Sequence, residues 1–323
     1  MIYDLHADLL CYLASHPLRL AYDAEVRCSI PQLLTGGVKL QTLAIFTTTN
    51  PRSVKNGMAQ AKAYKNLATR YAGYFEPYFQ TESQDTKAQI QTLLAIENAS
   101  AFCSEEEPIE QGLTRLKTIV DEIDKPLYIS LTWNTENRFG GGSSTSRGLK
   151  EDGKRLLENM RDSCYAVDLS HTSDKLAQDI LTFIDVKKLP YKVIASHSNL
   201  RAIKNVPRNL PDEIADEIVK RGGVIGLNFI RNFLGDSIHS FSQHVKHALK
   251  RGYGENLALG ADFFYERNIP KIYYKPNEQH YFEGFDTAAS YPKLMELLRQ
   301  SFTRQQAEKI AFGNLQSFLN RLK

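Results

Sequence analysis

Residues 164–171 read Cys164-Tyr165-Ala166-Val167-Asp168-Leu169-Ser170-His171, and residues 191–198 read Tyr191-Lys192-Val193-Ile194-Ala195-Ser196-His197-Ser198. Each is a short apolar run that ends in Ser-His, with little polar alternation. Such runs suit parallel strands buried on both faces. Similar runs recur at 2–6, 38–46, 91–96, 126–131, 223–229 and 256–261, which with 164–169 and 191–195 makes eight candidate strands.

Longer amphipathic stretches lie between them. In 54–73, Val54, Met58, Ala61, Tyr64, Leu67, Ala68 and Tyr71 recur at three- and four-residue steps and predict a helix with one apolar stripe. Segment 211–221 carries Pro211 near its start and Gly222 just past its end, the usual helix punctuation. In 303–321, Thr303 and Gln306 are spaced for a capping box. Strands separated by helices predict an α/β fold, and eight of them a closed (β/α)8 TIM barrel of the metal-dependent hydrolase type. A doubly wound open sheet is the alternative. Without internal repeats or a low-complexity linker, residues 1–323 read as a single domain, with long loops at about 134–148 and 263–287.

Composition narrows the function. The 323 residues carry 40 basic and 37 acidic side chains, a formal charge of +3, with no long block of one sign. That excludes the electrostatic footprint of a nucleic-acid or anionic-membrane binder. No apolar stretch approaches the length of a membrane span, and the first residues lack a signal-peptide pattern. The four cysteines show no CxxC spacing, which fits a reducing compartment. A cytoplasmic location is expected.

The chemistry sits at the ends of the strands. His6 and Asp8, two apart on the first strand, project to the same side, where imidazole and carboxylate suit a divalent cation. Glu97 follows the apolar run Leu93-Leu94-Ala95-Ile96; a carboxylate there is costly unless paired or bound to a cation. His171, His197 and Asp262 each fall at or just past another strand. In a barrel these ends converge on one face, the face of active sites. Three histidines and two or three carboxylates exceed what one four-coordinate ion needs, and a bridging carboxylate between two ions would use the surplus. The triplet Gly140-Gly141-Gly142 lacks the Lys of a phosphate loop and is expected to form a mobile loop over the site. His239, His244 and His247 are expected to lie on a solvated helix face, and Cys164 to pack in the core. Tyr265, Tyr273, Tyr274 and Tyr281 are candidates for a substrate rim or a dimer contact.

In order and spacing, this set resembles the membrane (renal) dipeptidase family of zinc peptidases. The likeness runs from Asp4-Leu5-His6-Ala7-Asp8 through Ala95-Ile96-Glu97-Asn98, Leu131-Thr132-Trp133-Asn134, Ser196-His197-Ser198, Arg208-Asn209 and Gly260-Ala261-Asp262-Phe263 to Gly313-Asn314-Leu315. The resemblance implies two zinc ions: His6 and Asp8 on one, His171 and His197 on the other, and Glu97 bridging. It implies Asp262 as the acid/base and Arg208 as the clamp on the substrate's terminal carboxylate. The substrate would be a dipeptide, with a D-residue tolerated at the C-terminal position. Members often carry His where this chain has Trp133, and Asp-Phe-Asp-Gly where it has Asp262-Phe263-Phe264-Tyr265. Carbonyl polarisation would then rest on the metals alone or on Asn134 or Asn137, with Trp133 and Asn134 as the candidate substrate contacts beside Arg208. A two-metal hydrolase of another small amide, lactam or ester is the competing expectation, and a homodimer is possible.

Overall fold

The computed structural model describes residues 1–80, 88–270 and 278–322. Its strands are β1 (Ile2–Ala7), β2 (Val38–Phe46), β3 (Phe75–Pro77), β4 (Ile90–Glu97), β5 (Tyr128–Ser130), β6 (Ala166–Asp168), β7 (Lys192–Ile194), β8 (Ile225–Leu227) and β9 (Leu257–Leu259). All pairings between them are parallel, in the order β7-β6-β5-β4-β2-β1-β9-β8. A parallel bridge between Ala195 and Ile225 brings the two edges together. Eight strands thus form a nearly closed (β/α)8 barrel, as their number implied.

Alternate residues along the strands enter two apolar clusters. Tyr3, Leu5, Leu93 and Ala95 pack in one, with Leu315 and Phe318 of the last helix. Ile2, Ala7, Leu94 and Ile96 pack in the other, against the crossover helices. Both faces of each strand are therefore buried, which is why the runs read as continuously apolar.

Several elements differ from expectation. β3 escaped the sequence reading because its three residues Phe75-Glu76-Pro77 carry no apolar run; it pairs with the start of β4, off the barrel path. The stripe at 54–73 divides at Asn66 into helices Ser53–Lys65 and Leu67–Arg70. Segment 303–321 has its capping box, but a π turn at Lys309–Gly313 interrupts the α-helical path.

His244 is not solvated. It is fully buried, with Nε2 2.8 Å from the Leu234 carbonyl and Nδ1 accepting from the Leu200 amide at 3.2 Å. The glycine loop is packed rather than loose. Gly142 bridges Thr172, and a Cβ on it would lie 1.8 Å from the Trp133 carbonyl oxygen. Cys164 is buried, as expected. Tyr273 and Tyr274 lie outside the described residues.

Candidate active site

The barrel brings His6, Asp8, Glu97, His171, His197 and Asp262 together at its carboxyl-terminal end. His6 sits near the end of β1, and Glu97 is the last residue of β4. His171 and His197 lie three residues beyond β6 and β7, and Asp262 three beyond β9. His171 and Asp262 hold positive φ, 65° and 63°, in the left-handed region that few non-glycine residues occupy and in which Asn, Asp and His are enriched. Such backbone strain clusters at functional sites.

Glu97 is the hub. Its Oε2 lies 3.1 Å from Nε2 of His6, while its Oε1 lies 2.9 Å from Nε2 of His171 and 3.7 Å from Nε2 of His197. One oxygen faces each half of the ligand set. Asp8 Oδ1 and Asp262 Oδ1 stand 3.9 and 3.7 Å from Nε2 of His6.

Each imidazole is held by its other nitrogen. His6 Nδ1 meets the Tyr128 hydroxyl at 2.7 Å; that hydroxyl donates to the Leu5 carbonyl, so it accepts from His6. His197 Nδ1 meets Ser196 Oγ at 2.7 Å, and Ser196 donates to Asp168 at 2.8 Å. His171 Nδ1 meets Asn134 Oδ1 at 2.7 Å. These acceptors place the proton on Nδ1 and leave each Nε2 lone pair toward the centre.

The donor set fits divalent cations. His6 Nε2 and Asp8 Oδ1 are buried without a hydrogen-bond partner, a costly state that a cation relieves. His6 with Glu97 and His197, and His6 with Asp8 and Asp262, form two groups tight enough to hold an ion. Burial pushes the Glu97 carboxyl up to about 8 and the Asp262 carboxyl up to about 6. Burial, then the Glu97 charge, raises Asp8 well above the usual carboxylate range. Burial also holds His171 and His197 well below the ordinary imidazole value, so both are neutral donors.

Arg208 is buried beside this centre. Its Nη1 donates to Ser198 Oγ at 2.7 Å and its Nη2 to the His197 carbonyl at 2.9 Å, while Nε is unpartnered. Trp133 lines the same cavity, its ring 5.8 Å from that of His171. Asn134 also lines the cavity, but its oxygen is engaged by His171 and by Ser143 at 2.9 Å. These contacts use its oxygen to orient the His171 ring. Asn137 turns its amide to the Leu131 carbonyl and Asn98, away from such a role. Tyr265 lines the cavity; Tyr281 is buried and donates to the Asp262 carbonyl at 2.5 Å.

The sequence reading missed the residues behind the ligands. Asn228, just past β8, donates to Asp262 Oδ2 at 2.9 Å. Its signal was available: a polar residue at a strand end, like Glu97. Asp4 accepts from the His6 and Ala261 amides at 2.8 and 3.0 Å, tying β1 to the segment that carries Asp262. Asp168 accepts from Ser130, Ser196 and two backbone amides.

A (β/α)8 barrel with this constellation at its carboxyl-terminal mouth defines a barrel of the metal-dependent hydrolase type. Residues 1–322 match the model of the membrane dipeptidase family, peptidase family M19, and the chain belongs to that family. It is 30% identical over 195 residues to an uncharacterized dipeptidase of Schizosaccharomyces pombe, covering 56% of this chain and 43% of that one. It is 32% identical over 143 residues to the dipeptidase verJ of Clonostachys rogersoniana, covering 42% of this chain and 36% of the relative. Both matches span less than half of the curated relatives. A Rhodobacter sphaeroides metallopeptidase, solved with a phosphinate mimic of the dipeptide L-Ala-D-Ala, superposes over 100% of this chain and 99% of its own, with a TM-score of 0.81 at 19% identity. Among the described residues, no helix is long and apolar enough to cross a membrane.

Proposed function

We propose that this chain is a metal-dependent dipeptidase that hydrolyses the peptide bond of dipeptides with two zinc ions. The reading is carried by Glu97, which turns one oxygen to His6 and the other to His171 and His197. His6 and Asp8 would hold one ion, His171 and His197 the other, and Glu97 both. Family membership supports a dipeptide substrate, and the mimic bound by the Rhodobacter sphaeroides relative supports a D-residue at the C-terminal position.

Bound divalent ions supply Lewis acidity and a lowered pKa for the attacking water. The chain's own residues do the rest. Asp262 takes the proton of the attacking water and returns it to the leaving amine. Asn228 holds Oδ2 of that carboxylate and leaves Oδ1 on the side of His6. Arg208 receives the substrate's terminal carboxylate through Nε and its remaining N–H groups, which limits the substrate to dipeptide length. Its other donors are fixed to Ser198 and His197, so the guanidinium is pre-set.

The test is a panel of L-Xaa-L-Xaa and L-Xaa-D-Xaa dipeptides, assayed with zinc-loaded and chelator-stripped protein. Metal-dependent cleavage of free dipeptides, with tripeptides and C-terminally amidated dipeptides spared, is expected. A protein that holds two ions and cleaves none of them loses the dipeptidase reading. A two-metal hydrolase of another small amide, lactam or ester then takes its place, a reading favoured by the Trp133 and Phe264 rings on the cavity wall.

A further inference from the structure

The cavity over the site encloses about 420 Å³ and is walled mostly by apolar groups. Phe46, the last residue of β2, and Trp133 form one wall, their ring centroids 5.3 Å apart. Trp133 continues to His171, so this wall reaches the ligand set itself. Phe264, Tyr265 and Ile269 line the same cavity. Phe233 lies under Arg208, its ring 5.6 Å from the guanidinium carbon. The cavity's charges near the centre already have work under the dipeptidase reading: Asp8, Glu97 and Asp262 with the metals, and Arg208 with the terminal carboxylate. Glu278 and His280 also line the cavity, and Asn232 donates to the Glu278 carboxylate at 2.8 Å; the walls formed by Phe46, Trp133, Phe264 and Ile269 themselves offer a charged side chain no opposite charge.

We propose that this aromatic lining selects dipeptides with apolar side chains, and that the Phe46–Trp133 pair is a specificity-determining wall. The inference rests on the dipeptidase reading for its substrate. Its physical basis is broader. Aliphatic and aromatic side chains gain by leaving water against such a surface, whereas an Asp or Glu side chain placed against it would lose hydration without a partner from that wall.

Trp133 is the chain's single tryptophan, so its fluorescence reports on this wall alone. In metal-stripped protein, Leu-Leu and Phe-Leu should shift or quench that emission at concentrations at least tenfold below those needed for Asp-Glu. In the zinc-loaded enzyme, kcat/KM should favour the apolar pair by tenfold or more, in line with the roughly 10–200-fold that one hydrophobic contact difference provides. Phe46→Ala keeps the tryptophan probe; it should lower the kcat/KM ratio of Leu-Leu to Ala-Ala at least fivefold, a ratio that general loss of folded enzyme would not move. Equal binding and equal cleavage of charged and apolar dipeptides would overturn the proposal, as would no fluorescence response to any of them. Tight binding of apolar dipeptides without cleavage would retain the apolar selectivity and sink the dipeptidase reading instead.

Discussion

Oδ1 of Asn134 lies 2.7 Å from Nδ1 of His171 and at the same time accepts from the Ser143 hydroxyl at 2.9 Å. The contact joins the loop after β5 to a histidine beyond β6, and it sets the imidazole with Nε2 toward Glu97. Asn134→Ala would free the His171 ring to turn while keeping every residue that faces the centre. Zinc affinity, measured by competition with a chromogenic chelator, should fall about 10–100-fold, the usual cost of removing such a support. Unchanged affinity for both ions would remove Asn134 from the site's machinery.

Asp262→Asn tests the proton shuttle. The amide is isosteric but cannot take a proton. Both ions should still bind, while kcat drops by about 10²–10⁴, the range that general acid–base catalysis contributes. Steady-state kinetics on protein of measured metal content decides; turnover within a few-fold of wild type would show that the proton travels elsewhere.

Arg208→Lys should act mainly on KM. Lysine keeps the charge but loses the planar fork. It also leaves Ser198 and the His197 carbonyl without the donors they have now. The expected signature is a raised KM for free dipeptides together with weaker discrimination against amidated ones. A change confined to kcat would argue against a carboxylate clamp.

Metal-free protein should lose stability as pH rises from about 6.5 to about 8. Glu97 has a folded value of about 8 against an ordinary 4.5, so its contribution is complete below 4.5 and is lost as pH rises through 8. Asp262, raised to about 6, acts in the same direction at lower pH, and Asp8, also raised, acts in the same direction. His171 and His197 are depressed, so their contribution is lost as pH falls through the ordinary 6.5, and they oppose the carboxyls only below it. Thermal unfolding of chelator-treated protein should show Tm falling across this window. Zinc should reverse the slope, because cations bind the ionised carboxylate. Glu97→Gln should flatten it, and an unaltered slope in that variant would assign the effect to another group.

Asp168 should matter for stability without touching substrate. It accepts from the Ser130 and Ser196 hydroxyls and the Ser170 and Ser196 amides, so it ties β5, β6 and β7 together at the mouth. Asp168→Ala strands those buried donors and should cost about 3 kcal/mol or more in denaturant unfolding. A loss below about 1 kcal/mol would mean that they find other partners.

The barrel was legible because each strand is buried on both faces: the pattern of Leu93-Leu94-Ala95-Ile96 survives translation into structure unchanged. The polar residue that closes each run was legible too, since a carboxylate such as Glu97 after four apolar residues has a cost that asks for a reason. Phe75–Pro77 was not, because Phe75-Glu76-Pro77 carries no apolar run that would mark it as a buried strand. His244 was misjudged because its neighbours on helix Ser240–Lys250 look amphipathic, while the acceptor that allows its burial, the Leu234 carbonyl, belongs to the preceding segment.

The residues alone determined which chemistry gathers at the barrel's mouth, because strand ends in a parallel barrel converge whatever the loops do. The tertiary structure decided how those residues are held. The splitting of Glu97 between two histidine groups, the turning of Asn134 to His171 and the bracing of Asp262 by Asn228 all join positions dozens of residues apart. Such contacts depend on sub-ångström packing and on the competition of each donor for its acceptors, quantities that exist only once the chain has closed.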